Sequence, residues 1–199
     1  IMFADFRRDP DQYPLKTPSG KIEIFSSTVA GFAYDDCLGH PAWFAPPEWL
    51  GAAEDTYPLH LLSNQPRTKL HSQLDQGPVA AAAKIKGREE VQMHKDDAAA
   101  RGIEEGDIIR LFNARGAIYV GVRTTDQIRP GVVMVPTGAW LDLDKDDPEL
   151  CKHGNPNMLA PDRPTSKLAQ GPAAHSCLVQ AEAVDQARLP EVTLSLIHI

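Results

Sequence analysis

Short apolar segments, separated by turns that contain Gly or Pro, recur along the chain from Tyr57 onward. In EEVQMH the apolar residues Val91 and Met93 alternate with polar residues, which places both on one face of a strand. Alternation of this kind, or a short continuous apolar run, predicts strands in PLHLLS, EEVQMH, DIIRLFN, AIYVGVRTT, GVVMVPTGAW and HSCLVQAE.

One short helix is predicted among these strands, in KDDAAARG. Asp96 or Asp97 can cap its first turn, the alanines favour helix, and Gly102 can end it. Many short strands with a single inserted helix do not match alternating βαβ units. The chain is therefore predicted to be mainly β and to form a closed β-barrel.

Residues 1–56 show no sustained periodicity. Lys21 to Phe25 alternates after a Gly turn and predicts one short strand. Prolines then exclude a regular helix through the aromatic-rich stretch that follows. Trp43, Phe44 and Trp49 are predicted to be buried, with this stretch forming an ordered strap that packs on a neighbouring surface. The alternative is that they form a wall of a substrate funnel.

Composition narrows the class of protein. Hydrophobic residues make up 42% and charged residues 24% of the chain, which is typical of a globular protein. The formal net charge of −7 argues against a nucleic-acid-binding surface. No apolar run approaches the length of a membrane span, so no membrane-spanning segment is predicted.

Signatures of metal-binding and catalytic sites are lacking in the sequence. The 3 cysteines include no CxxC pair, and the 7 histidines show no helical metal-ligand spacing. Hydrolase motifs and Gly-rich phosphate loops are also missing. We therefore assign no catalytic residue and no metal ligand within this chain.

Two polar loops remain as candidate binding segments, residues 63–73 and residues 153–170. They combine side-chain amides and hydroxyls, and the first adds the cationic or switchable donors of Arg67, Lys69 and His71. Such a mixture suits a large polar heterocycle that carries phosphate. The alternative is that these side chains only satisfy the backbone of their own loops.

Several strings in this order resemble one family: YPLHLLSNQPRTKLHSQLD, DDAAARGIEEGDIIRLFNARG, IRPGVVMVPTGAW and HGNPNMLAPDRPTSKLAQGPAAHSCLVQAE. They resemble the C-terminal part of molybdopterin-guanine-dinucleotide oxidoreductases, in the group of DMSO, trimethylamine-N-oxide (TMAO) and biotin sulfoxide reductases. The resemblance covers roughly residues 13 to 183. The chain departs from the family pattern at Ala160 and Pro164, where Thr and Gly are more usual.

The resemblance implies a double-psi β-barrel that binds a molybdopterin dinucleotide, within a larger subunit whose upstream domains are partners of this segment. It implies a molybdenum bis(molybdopterin guanine dinucleotide) cofactor, reduction of small S-oxide or N-oxide substrates by oxygen-atom transfer, and an electron-donor protein. The family's metal-ligating serine would lie upstream. We therefore expect the chain to be a fragment that is inactive alone. Any targeting segment would also lie upstream, so the compartment, bacterial periplasm or cytoplasm, stays open.

The resemblance also implies which residues bind the cofactor. From the first loop these are Ser63, Asn64, Gln65, Arg67, Thr68, His71 and Ser72, and from the second region Asn155, Asn157, Gln170 and His175. Hydrogen bonds from them would hold the pterin and tune its electron density. For His71 the alternative is a structural histidine bonded to a carbonyl.

The domain boundaries that follow are 1–56 for the end of a preceding domain and its strap, 57–185 for the barrel, and 186–199 for a tail that is possibly non-native. Two other functions stay open at this point. One is a formate dehydrogenase or nitrate reductase type of molybdoenzyme fragment. The other is a stand-alone ligand-binding barrel without a redox role.

Overall fold

The barrel is built from short strands of mixed direction. In this computed structural model, which describes residues 1–193, the strands are β1 (Leu59–Leu62), β2 (Glu90–His94), β3 (Ile108–Asn113), β4 (Gly116–Thr125), β5 (Val132–Met134), β6 (Leu150–Cys151) and β7 (Leu178–Ala183). They pair in the order β2-β5-β1-β7-β3-β4-β6, and a further β2–β4 pairing closes the first six into a ring. The predicted closed β-barrel is therefore confirmed.

Parallel pairings decide which chain segments emerge at the same edge of the barrel. β1 runs parallel to β5, with His60 opposite Val132 and Leu62 opposite Met134. β4 is likewise parallel to β2 and to β6. Because the ends of parallel strands point the same way, the segments that follow β1 and β5 leave the sheet side by side.

The core lies inside the ring and comes from the inward-facing positions of the strands. Val91 and Met93 are fully buried, as the alternation in EEVQMH predicts. β4 is buried almost throughout its first seven residues, consistent with its three sheet partners β2, β3 and β6. Other core members include Leu59, Leu61 and Leu111. Burial of such side chains supplies most of the driving force for the barrel to form.

The helices are short: α1 (Ala4–Arg8), α2 (Ser27–Gly31), α3 (Pro78–Ala83) and α4 (Lys95–Ala99). The predicted helix in KDDAAARG is α4, and Gly102 follows it with a φ of 64°. The expected cap was wrong, because the ring Nδ1 of His94 accepts from the Asp96 N–H at 3.2 Å. Helix α3 and strand β6 were not predicted.

Contacts divide the chain into two compact units, one of residues 1–45 with 164–171, and one of residues 46–163 with the chain from 172 onward. In the first unit the predicted strand Lys21 to Phe25 is wrong, since it forms no ladder among the described residues. Within that unit the Lys167 ammonium pairs with Asp35 at 2.7 Å. The boundaries 1–56, 57–185 and 186–199 stay predictions.

The predicted burial of the aromatic stretch is not found within the described part of this chain. Trp43 is 80% exposed, and Phe44 and Trp49 are exposed as well. Of the predicted tail, Gln186–Arg188 form a single 3-10 turn, and the carbonyl of Pro190 accepts from the Arg88 guanidinium. The last six residues of the tail lie outside the described residues.

Candidate functional site

A cavity of about 440 Å³ opens at one edge of the barrel. Segments that are far apart in sequence line it: His71, Ser72, Thr137, Gly138, Ala139, Trp140, Leu141, Asn155 and Asn157. The two predicted polar loops therefore meet here, with the segment after β5 between them. Four of the predicted site residues, His71, Ser72, Asn155 and Asn157, lie in this lining.

The segments after β1 and β5 continue side by side beyond the strands. The Val135 N–H donates to the Leu62 carbonyl at 3.0 Å, and the Thr137 N–H donates to the Asn64 carbonyl at 2.8 Å. Asn64 and Thr137 are thereby held next to each other at the cavity. The parallel pairing of β1 and β5 thus continues, through these two backbone hydrogen bonds, into the segments at the site.

Unsatisfied polar atoms cluster at this point. Ser63 Oγ, Asn64 Oδ1 and Thr137 Oγ1 are buried and have no hydrogen-bond partner among the described residues. Buried polar atoms without partners cost free energy, and they commonly mark a place where a ligand or water binds. Two of these three belong to predicted site residues, whereas Thr137 was not predicted.

The closest approach in the site lies between Gly138 and His71. Gly138 has a φ of 91°, and a Cβ placed on it would lie 1.9 Å from the His71 carbonyl oxygen. Only glycine fits there. His71 itself has a left-handed backbone with a φ of 50°. Its ring makes no hydrogen bond to any described residue, so the alternative of a histidine tied to a carbonyl gains no support.

The second loop enters the cavity as a tight turn. The side chain of Asn155 accepts from the Asn157 N–H at 3.0 Å and caps the 3-10 turn Pro156–Met158. This bond uses the side-chain carbonyl oxygen of Asn155 and leaves its NH₂ group free to donate to a ligand. Asn157 is exposed. One asparagine therefore both shapes the turn and lines the site.

The other predicted residues lie outside the cavity lining. Gln65 and Arg67 are exposed and Thr68 is half-buried, all on the loop between Asn64 and His71. The backbone carbonyl of His175 accepts from His60 Nε2 at 2.6 Å, while the His175 side chain is exposed. Gln170 belongs to the other compact unit. The cofactor-binding assignments stay predictions, for these five residues and equally for those at the cavity.

Behind the cavity lies a buried cluster of charged groups that sequence reasoning did not assign to the site. Its members are Lys69, Asp75, Lys84, Glu89 and His153. In the sequence, Lys69 is one of the cationic donors of the first polar loop and a candidate for a phosphate contact. The structure instead pairs its ammonium with Asp75 and Glu89, with only 1% of the side chain exposed.

Thr137, Gly138 and Trp140 were also missed as cavity residues. The only available signal was their place in PTGAW, directly after an apolar strand. Cys177 does not supply a reactive thiolate: burial raises the pKa of Cys177 to about 11, so its thiol stays protonated. Among residues 1–193, no group of three or more His, Cys, Asp or Glu is arranged to hold a metal ion.

The cavity fits a polar heterocyclic ligand. Its lining includes the unpaired hydroxyl of Thr137, two asparagines, His71 and Trp140, and the unpaired atoms of Ser63 and Asn64 belong to the neighbouring segment. Gly138 allows the segment after β5 to approach the His71 loop closely. These donors and acceptors match the edges of a pterin or guanine ring better than they match a lipid or a metal ion.

Comparisons with known proteins agree with this chemistry. A family model described as "Molydopterin dinucleotide binding domain" matches residues 59–178. Biotin sulfoxide reductase of Cereibacter sphaeroides is 48% identical, over 90% of this chain and 24% of that protein. Trimethylamine-N-oxide reductase of Haemophilus influenzae is 44% identical, over 98% of this chain and 24% of that protein.

The fold is found in a solved structure as well. Acetylene hydratase from Pelobacter acetylenicus superposes with a TM-score of 0.69 at 19% identity, covering 88% of this chain and 25% of that one. In the parts of the chain that the structure describes, no helix has the length and apolar character needed to cross a bilayer.

These findings confirm the expected double-psi β-barrel class and the resemblance to the DMSO, TMAO and biotin sulfoxide reductase group. The expected cofactor, molybdenum with molybdopterin guanine dinucleotide, agrees with the family's description. The chain spans about a quarter of the length of the relatives that it matches. Since the family model covers more than half of the sequence, the chain belongs to the molydopterin dinucleotide binding domain family.

Proposed function

We propose that this chain holds a molybdopterin guanine dinucleotide in a molybdenum oxidoreductase that reduces S-oxides or N-oxides by oxygen-atom transfer. The observation that carries the proposal is the meeting of His71 and Ser72 with Asn155 and Asn157 in one cavity. Relatives named biotin sulfoxide reductase and trimethylamine-N-oxide reductase support the reaction class.

Within this proposal the chain binds and orients rather than reacts. Ser63, Asn64 and Thr137 offer buried polar atoms that lack partners, and the Asn155 NH₂ group adds a donor. Hydrogen bonds from such groups fix the plane of a heterocycle and tune its electron density. When bound, the cofactor supplies the redox centre, and electrons come from a donor protein.

His71 is the residue through which the chain would tune the cofactor. His71 lines the cavity, and its ring makes no hydrogen bond to the described residues, so both ring nitrogens are open to a ligand. The remaining predicted residues are proposed to bind the phosphates of the cofactor, directly or together with other parts of the protein. They are Gln65, Arg67, Thr68, Gln170 and His175.

The test is His71→Ala in the complete natural polypeptide that carries this sequence. We expect a fall of about tenfold in cofactor affinity, because a ligand hydrogen bond in a shielded site is lost. Molybdenum per chain, and guanosine monophosphate released by acid, report the occupancy. Gln73→Ala is the matched control, since Gln73 is exposed on the same loop and lies outside the cavity lining.

Thermal unfolding of both variants separates cofactor loss from a general loss of stability. If His71→Ala leaves the molybdenum content, the guanosine content and the reduction potential of the molybdenum unchanged, the assignment of His71 is wrong. A wild-type protein that carries no guanine dinucleotide would sink the proposed function itself.

A further inference from the structure

The buried charge cluster contacts one residue of the cavity wall, Trp140, through Asp75 and His153. Lys69, Asp75, Lys84, Glu89 and His153 come from four separate segments, and their side chains are between 0% and 9% exposed. Replacing buried ion pairs by apolar side chains is often neutral or stabilising. Stability alone is therefore a weak reason for five titratable groups at this place.

The protons of the cluster can be assigned from its geometry. Lys84 Nζ lies 2.9 Å from the Asp75 carbonyl oxygen, 2.9 Å from Asp75 Oδ1 and 2.8 Å from His153 Nε2. An ammonium has three N–H groups, so these three acceptors complete its hydrogen bonding. His153 Nε2 is then an acceptor, which leaves the ring proton on Nδ1.

The other side of the His153 ring supports the same tautomer. Nδ1 faces the Trp140 carbonyl oxygen at 3.1 Å, and a carbonyl can only accept. Burial, with the nearby Lys84 charge as the next cause, lowers the pKa of His153 to about 4. The imidazole is therefore neutral at ordinary pH and donates one hydrogen bond to Trp140.

Trp140 is held on both sides of its Cα. Its N–H donates to Asp75 Oδ2 at 3.0 Å, and its carbonyl accepts from His153. Its indole Nε1 donates to the Ser72 carbonyl at 2.8 Å. Both peptide planes and the ring of this cavity residue are thus fixed, and the indole ties it to the loop that carries His71.

We propose that Asp75 and His153 are positioning residues for the cavity, and that they fix the wall at Trp140 by holding its backbone N–H and carbonyl. His153 also stands two residues before Asn155, so the same ring anchors the second loop beside the wall. Lys84 acts through both of them by joining the Asp75 carboxylate to His153 Nε2. This inference rests on the proposed function of the cavity.

The test uses two replacements of one residue. In His153→Asn the side-chain NH₂ lies near the position of Nδ1 and can still donate to the Trp140 carbonyl. In His153→Gln the side-chain oxygen reaches the position of Nε2 and can accept from Lys84, but the Trp140 carbonyl loses its donor. Both variants change the cluster, and only one keeps the bond to the wall.

Two readouts are measured in the complete natural polypeptide. Amide hydrogen exchange of residues 137–141 reports the wall directly, and acid-released guanosine monophosphate per chain reports the cofactor. We expect exchange about tenfold faster, and cofactor affinity about tenfold lower, in His153→Gln. In His153→Asn both should stay within about threefold of wild type.

Glu89→Gln is the matched control for loss of a buried charge. Glu89 pairs with Lys69 in the same cluster and is not bonded to Trp140. The Glu89→Gln substitution should lower the unfolding free energy, while amide exchange at residues 137–141 and cofactor content stay near wild type. Equal effects in Glu89→Gln and His153→Gln would overturn the inference, because the cluster would then act only through stability.

The two proposals fail in different ways. A wild-type protein without any guanine dinucleotide would refute the proposed function, while the exchange readout would still test the hold on Trp140. A loaded wild-type protein in which His153→Asn and His153→Gln exchange equally would refute the positioning role alone.

Discussion

Gly138 shows how one backbone position sets the shape of the cavity. Its φ of 91° lies in the left-handed region, and the His71 carbonyl occupies the place where a side chain would begin. Any L-residue here would both strain its own backbone and push the His71 loop away. The short distance between the segment after β5 and the His71 loop therefore depends on the absence of a Cβ.

Gly138→Ala is expected to lower the free energy of unfolding by about 3 kcal/mol, from backbone strain and steric overlap together. Gly102→Ala is the control, because Gly102 also has a positive φ of 64° but has no atom within 4 Å of the added Cβ. Its cost should be about 1 kcal/mol. Urea unfolding of both variants measures the difference, and equal losses would contradict the steric account.

The hairpin of β3 and β4 fastens the second loop of the site. Arg115, in the turn of this hairpin, donates from Nε to the Leu159 carbonyl at 2.6 Å. Its guanidinium also makes two bonds to the Glu48 carboxylate, at 2.7 and 2.8 Å. Leu159 directly follows the 3-10 turn Pro156–Met158, so the hairpin holds the end of a cavity-lining element.

Glu48 is adapted to this role. Burial acts to raise the pKa of its carboxyl, but the hydrogen bonds from Arg115 and from the Leu178 N–H outweigh burial and lower that pKa. The carboxylate is therefore charged and joins the hairpin to the start of β7. A planar guanidinium is needed, since it meets one carboxylate and one carbonyl in fixed directions.

Arg115→Lys should cost about 2 kcal/mol of unfolding free energy, because an ammonium cannot make the paired bonds and reach Leu159 together. Arg123→Lys is the matched control. Arg123 pairs with Glu90 and Glu105 on the surface, with 49% of its side chain exposed. That change should cost less than about 1 kcal/mol. Chemical denaturation compares the two, and similar costs would count against the fastening role.

For the whole molecule, the buried cluster predicts how stability depends on pH. The pKa of His153 falls from 6.5 to about 4 on folding, so between these values the unfolded chain binds a proton that the folded chain excludes. The stability linked to His153 is present above pH 6.5 and is lost as the pH falls toward 4. The pKa of Asp75 is lowered despite burial by its bonds to Lys69 and Lys84, so its share is lost at still lower pH, below 3.8.

We expect the unfolding free energy to fall by about 2 kcal/mol between pH 7 and pH 4.5 on account of His153. Urea titrations at a series of pH values measure this slope. In His153→Asn the part that belongs to the imidazole should vanish, while other groups titrate as before. An unchanged slope in that variant would show that the buried ring does not control the acid response.

Local pattern accounts for much of the fold. The alternation in EEVQMH and the apolar run in PLHLLS are strands at the predicted places, because side-chain periodicity is decided by neighbours in sequence. The predicted strand at Lys21 to Phe25 fails although it alternates, because a strand also needs a pairing partner. Trp43 shows a similar failure, since burial requires a surface to cover it.

The sequence by itself determined most of the barrel strands and the two polar loops, since each is carried by residues within a short stretch. The number and spacing of the strands indicated a barrel, and the order of several motifs indicated the family. Only the tertiary structure decided that His71 and Asn155 line one cavity, and that Asp75 and His153 hold Trp140 between them. Asp75 and Trp140, for example, are 65 residues apart in the sequence. They depend on strand direction and register, which place distant polar groups together and which no local pattern encodes.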